Sequence, residues 1–154
     1  GILALGGTRH GGALGGAAAF FQEHLGNTDV EATVKKLKEQ KIRIPGYGHR
    51  VLVHDNRSDT LFDIAKETGF YGAQCKLAVS VGNALNTISS KPIPLNMDGA
   101  NAAILLDMGF DAKLATGFFL IGRMPGLVAQ VYEEMNDDAG LRRLDEEEIE
   151  YVGK

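Results

Sequence analysis

Helix punctuation is the feature of this sequence that most narrows its fold. Starts and stops for helices recur along the whole chain, while the apolar–polar alternation of strands is almost absent. Residues Ala13 to Leu25 have helical character and meet a stop at Gly26. Thr28-Asp29-Val30-Glu31 reads as a capping box, in which the Thr hydroxyl and the Glu carboxylate serve each other's backbone donors. The helix it opens runs to about Gln40, with Val30, Val34 and Leu37 on one face and lysines opposite. Ile44-Pro45-Gly46-Tyr47-Gly48 must be a loop, because a proline and two glycines cannot sustain a helix. Ser58 is placed to cap a helix over 59–68 that Gly69 ends. Gly72 to Ile88 is a further amphipathic stretch, broken by Ser89-Ser90-Lys91-Pro92-Ile93-Pro94. Gly99 to Met108 ends at Gly109, and Asp111 caps a last long helix to about Met135, with Pro125 placed to kink it. Six helices without strands predict an all-α protein.

Composition adds exclusions. A chain of 154 residues can bury roughly 70% of its unfolded surface, so it needs no disulfide or metal staple. The single cysteine, Cys75, rules out a secreted disulfide scaffold. The uninterrupted apolar stretch from Phe118 to Ile121 is closed by Arg123, short of the ~20 residues that span a bilayer. No basic, then apolar, leader opens the chain, and a soluble, reducing, cytoplasmic setting is expected. Residues 133–154 carry a net charge of −6 and the preceding 132 residues +2. No basic stripe is present, which argues against a nucleic-acid partner and leaves room for a small anion held by a few placed cations. Residues 1–7 read as the interior of something, so an upstream segment is expected.

Two of the four histidines stand among glycines, in Arg9-His10-Gly11-Gly12 and Gly46-Tyr47-Gly48-His49-Arg50. Small neighbours let a ligand approach closely, although either His could equally be a loop residue bonded to a carbonyl. His24 and His54 read as helix-end and surface residues. No metal-ligand spacing accompanies any of them, and no metal is expected. Asp98 follows the apolar Pro94-Leu95-Asn96-Met97 and precedes Gly99-Ala100. An acid in such a setting suits a general base. It also suits an N-cap, and the two roles are compatible. Arg123 interrupts an apolar helical segment and must meet an anion, a structural ion pair or water. Arg57 is a second candidate for an anion, or else a solvated surface residue. Gly6-Gly7-Thr8-Arg9-His10-Gly11-Gly12 fits no phosphate-loop pattern.

Read in order, Arg9-His10-Gly11-Gly12-Ala13, Pro45-Gly46-Tyr47-Gly48-His49-Arg50-Val51, Leu95-Asn96-Met97-Asp98-Gly99 and Gly122-Arg123-Met124-Pro125-Gly126 resemble the citrate synthase family. The resemblance spans nearly the whole chain but only the C-terminal half of a full-length synthase. The Gly-Gly-Ala-Leu run, the Lys-rich helix before Pro45, Asn96-Met97-Asp98-Gly99 and Glu150-Tyr151-Val152-Gly153 look most like citryl-CoA lyases and the C-terminal module of ATP-citrate lyase.

The resemblance implies that Asp98 exchanges a methyl proton with acetyl-CoA and that His10 hydrogen-bonds the enolate oxygen. It implies that His49 holds the carbonyl or hydroxyl oxygen of the oxaloacetate portion. Arg57 and Arg123 would grip carboxylates, Asn96 would contact substrate, and the loop Ile44, Pro45, Gly46, Tyr47, Gly48 would present backbone to the adenine of coenzyme A. Citryl-CoA, or acetyl-CoA with oxaloacetate, would be the substrates. Family members usually place Asp-Pro-Arg about nine residues beyond the loop His, whereas Asp55-Asn56-Arg57 comes at eight and lacks the proline. The citrate-binding His and CoA-binding arginines that synthases place further upstream lie outside this chain. The implied division is a large-domain helix over 1–27, a small CoA-binding lobe over 28–94 that closes on the site, a return to the large domain over 95–135, and an acidic tail over 136–154. A homo-oligomer is expected, with the Gly/Ala-rich segment Gly11 to Phe20 packing against a neighbour. A CoA- or citrate-binding fragment without activity is the alternative from another class.

Overall fold

The computed structural model describes residues 6–7, 11–137, 147, 149–150 and 152–153. Six α-helices run through them: α1 (Gly12–His24), α2 (Val30–Glu39), α3 (Asn56–Thr68), α4 (Ala73–Ile88), α5 (Met97–Asp107) and α6 (Ala115–Asp137), the last preceded by a 3₁₀ turn over Ala112–Leu114. Among the described residues there is no strand, only an isolated bridge between Tyr47 and Leu95. Packing divides the chain into two compact units, Gly1–Leu120 and Ile121–Lys154.

The first unit is built around the apolar faces that the sequence periodicity marks out. Phe21 of α1, Val34 of α2, Val81 and Cys75 of α4 and Ala100 of α5 are all essentially buried in one cluster. The closeness of α1 to its surroundings depends on small residues. A β-carbon on Gly15 would sit 2.6 Å from Thr116 Oγ1, and one on Gly16 would sit 3.2 Å from Pro45. Gly15 and Gly16 thus pack against this chain's own segments. Helices from the 28–94 segment share that one core with α1 and α5.

Three caps differ from the sequence expectation. Asp29, not Thr28, caps α2 through Ala32 N–H at 2.9 Å. Asp55, not Ser58, caps α3, which begins three residues earlier than expected. Asn96 caps α5, which begins at Met97 rather than Gly99. Asp111 caps the 3₁₀ turn that leads into α6. An Asx side chain reaches its own backbone two or three residues on, so it outcompetes the nearest Ser or Thr. Asp107 does a related job at long range: its carboxylate accepts from Gly72, Gln74 and Cys75 N–H, closing the start of α4. Burial and that neighbouring carboxylate push the Cys75 thiol up to about 12.

The second unit holds most of α6, and its apolar residues Ile121, Val128, Val131 and Met135 are exposed. The segment Ala112–Asp137 is long and apolar enough, by length and composition alone, to cross a membrane. Counting only uninterrupted apolar residues hid this, because the count stops at Arg123.

Candidate active site

Two stretches far apart in sequence are fastened together where α5 begins. Gly48 N–H donates to Pro94 O at 2.7 Å, and Asn96 N–H donates to Gly46 O at 3.0 Å. The Asn96 side chain locks the corner. Its Nδ2 donates to Gly48 O at 2.9 Å, and its Oδ1 accepts from Asp98 and Gly99 N–H at 3.0 and 3.2 Å. Glycine is required on both sides. Gly46 has φ 87°, which a β-carbon disfavours, and a β-carbon there would lie 2.7 Å from Gly99 Cα. One on Gly99 would run into the Gly46 carbonyl. Backbone thus rests directly on backbone.

Within the loop, Tyr47 is an anchor. Its ring meets Phe21 edge-on, its hydroxyl donates to Ala78 O at 2.7 Å, and burial raises the phenol well above its usual range. Ile44 is buried beside it. Two cavities flank the loop. The larger, about 780 Å³, is lined by Gly12, Pro45, Gly46, Asn96 and the arginines Arg43 and Arg50. The smaller, about 400 Å³, is lined by Val34, Lys38, Lys41, Arg43 and His49 among others. Asn96 therefore serves the scaffold and also faces a cavity.

His49 follows the loop and is exposed. Its Nδ1 accepts from Val51 N–H at 3.2 Å and Leu52 N–H at 2.9 Å. A ring nitrogen that accepts carries no proton, so the neutral ring holds its hydrogen on Nε2 and donates from there. Nearby, Asp55 is buried and takes both Nε and Nη2 of Arg57, each at 2.8 Å. The Arg57 hydrogen bonds outweigh burial and hold the Asp55 carboxyl below the usual range, with the nearby His49 adding to the effect. Asp55 in turn raises Arg57, and the charge of Asp98 adds to this. Asp98 has cationic company that its apolar sequence neighbours conceal. The Ser58 hydroxyl completes the junction by donating to Leu95 O at 3.1 Å.

The Asp55–Arg57 pair thus feels the charge of His49 on one member and of Asp98 on the other. Because Asn96 supplies the cap, the half-buried Asp98 is the second residue of α5 and its carboxylate is not the N-cap. Arg57, eight residues beyond His49 and without the preceding proline, is held by Asp55 through two hydrogen bonds. Asp55, Arg43 and Arg50 escaped the sequence reading, although Asp55-Asn56-Arg57 and His49-Arg50 were the signals to follow. His10 lies outside the described residues. Arg123 is exposed on α6 in the second unit. His24 Nδ1 lies 2.9 Å from Phe20 O at a helix end, and His54 pairs with Asp59. Among the described residues, no group of three His, Cys, Asp or Glu side chains is placed to hold a metal.

A helical scaffold that sets a carboxylate, a donor imidazole and an oriented guanidinium around a glycine loop defines a class. The chain belongs to the citrate synthase family, matching the description "Citrate synthase, C-terminal domain" over residues 1–144. Citrate synthase 2 of Bacillus subtilis is 31% identical over 143 residues, covering 92% of this chain and 38% of that protein. The structure of citryl-CoA lyase from Hydrogenobacter thermophilus superposes with a TM-score of 0.89 at 48% identity, covering 99% of this chain and 61% of that one. The structure of ATP citrate lyase from Methanothrix soehngenii in complex with citrate and coenzyme A gives a TM-score of 0.78 at 26% identity, covering 99% of this chain and 27% of that one. The chain thus spans only part of the length of each of these relatives.

Proposed function

We propose that this chain supplies the enolate chemistry of an acyl-CoA carbon–carbon lyase or synthase, interconverting citryl-CoA or citrate with acetyl-CoA and oxaloacetate. Cleavage of citryl-CoA is the preferred direction. The observation that carries the reading is the Gly46–Gly99 junction, which ties the loop before His49 to the helix that bears Asp98.

In cleavage, His49 holds the citryl oxygen through Nε2–H, and the hydroxyl proton leaves to water as the C–O bond becomes a carbonyl. The adjacent C–C bond breaks, and its electron pair becomes the enolate of acetyl-CoA. Asp98, protonated, then delivers its proton to the enolate carbon. His10 steadies the enolate oxygen while charge develops there. Arg57, held by Asp55, presents its remaining donors to a substrate carboxylate. Synthesis reverses these steps: Asp98 removes the methyl proton, and His49, through Nε2–H, holds the carbonyl oxygen under attack while water returns a proton to it. The 48% identity to a citryl-CoA lyase favours cleavage, and the citrate synthase relatives favour a second reading, net citrate synthesis.

The test uses purified protein in two assays. Citryl-CoA converted to acetyl-CoA without free thiol supports the lyase. Thiol released from acetyl-CoA and oxaloacetate supports the synthase. Coenzyme A binding without either reaction identifies a binding fragment and overturns the catalytic reading.

A further inference from the structure

The short segment between His49 and α3 is exposed, yet it is fastened at both ends. At the near end, Val51 and Leu52 N–H reach back to His49 Nδ1 at 3.2 and 2.9 Å. At the far end, His54 Nε2 donates to Asp59 Oδ2 at 2.6 Å, and the carboxylate acceptor strengthens that bond. Asp59 makes a firm post because it stands in the first turn of α3. That turn is seated by buried Ser58, bonded to Leu95 O at 3.1 Å, and by buried Asp55. The His54–Asp59 bond therefore reaches across the start of α3 and brackets the Asp55–Arg57 pair in sequence.

Both partners are largely exposed, 65% and 59%, so solvent screens the bond and it adds little to global stability. A weak bond matters most where it restrains a segment with little burial of its own, and Val51 and Val53 are such a segment. The consequence falls on the imidazole. A neutral ring can carry its proton on either nitrogen. Two backbone donors converging on Nδ1 keep the proton on Nε2, but only while residues 51 and 52 stay folded back. Releasing the far end of the segment from α3 slackens the turn that presents those two N–H groups.

We infer that the His54–Asp59 pair latches this segment to α3 and so holds His49 in its Nε2–H form, which makes His54 a positioning residue. It acts through His49 and touches no substrate. The use of that donor rests on the function proposed above.

Nitrogen NMR of the imidazole rings and steady-state kinetics, both on the whole chain, test the latch. Spectra are taken in alkaline buffer, which keeps imidazoles neutral, and His49 is assigned from a His49→Gln spectrum. The parent should show a bare Nδ1 and a protonated Nε2. His54→Ala and Asp59→Ala should each move the Nδ1 signal toward the protonated position. Each should also raise KM for citryl-CoA about 2–5-fold with kcat unchanged, because substrate must first recruit the right ring state. His54→Gln, which can still donate to Asp59, should restore both readouts. Asp63→Ala, which removes another exposed acid of α3, should move neither. Ring signals that stay at the parent positions in both alanine variants overturn the inference and leave the proposed function standing. A parent that turns over no citryl-CoA sinks the preferred direction of the proposed function, and the ring signals still decide the latch.

Discussion

The residues on either side of His49 differ sharply in how they are held. Before it, Ile44 and Tyr47 are 6% and 5% exposed, and the backbone is hydrogen-bonded to residues 94–96. After it, Val51 and Val53 are 82% and 68% exposed. The anchored half fixes where the imidazole is carried. The exposed half contributes backbone N–H groups that decide which ring nitrogen donates. A position can therefore be anchored on one side and accessible on the other.

Asp98→Asn should produce the largest effect. With Asn96 as the cap, the substitution leaves the helix start intact, and turnover should fall by ~10²–10⁴ for want of the base. Unchanged Tm with lost steady-state rate is the expected pair. Normal specific activity in a destabilised protein would return Asp98 to a purely structural role. Gly99→Ala attacks the anchored half itself by driving a β-carbon into the Gly46 carbonyl, and should cost about 3 kcal/mol. Chemical denaturation measures this, and an unchanged midpoint would show that the junction yields. Tyr47→Phe removes the hydrogen bond to Ala78 and should cost about 1 kcal/mol.

Acid probes the join between the two halves. The Asp55 carboxyl is depressed in the folded protein, so its contribution is fully present above the unfolded value of about 4 and is lost as pH falls below it. Asp55→Asn should flatten this part of the stability–pH curve. In the exposed half, Val51→Ser should shift stability by less than about 0.5 kcal/mol. A large loss there would mean that this segment is covered in the folded protein.

The helices were legible because their stops were. Gly26, Gly69 and Gly109 are the positive-φ residues that a sequence can advertise. Starts were harder: Ser58 looked like a cap, but its hydroxyl goes to Leu95, 37 residues later, a partner no local reading can supply. The same holds for the site. His49, Arg57 and Asp98 could be named from motifs, whereas Asp55 as the partner of Arg57 follows only from its burial and two hydrogen bonds. Lys41 ends α2 with φ 58°, and nothing in its sequence context announces a left-handed lysine.

The Asn96–Gly48 bond joins residues 48 positions apart, and that separation bears on how the protein folds. Closing so long a loop carries an entropic cost before any contact rewards it. α2, α3 and α4 can each gather locally while the glycine loop still waits for α5. During synthesis from the N-terminus, the glycine loop emerges well before residues 94–96, so the junction between them is among the last native features to form. A nascent chain cut short anywhere before residue 96 would lack the side chain that fastens Gly48 O, and the loop would have no partner there.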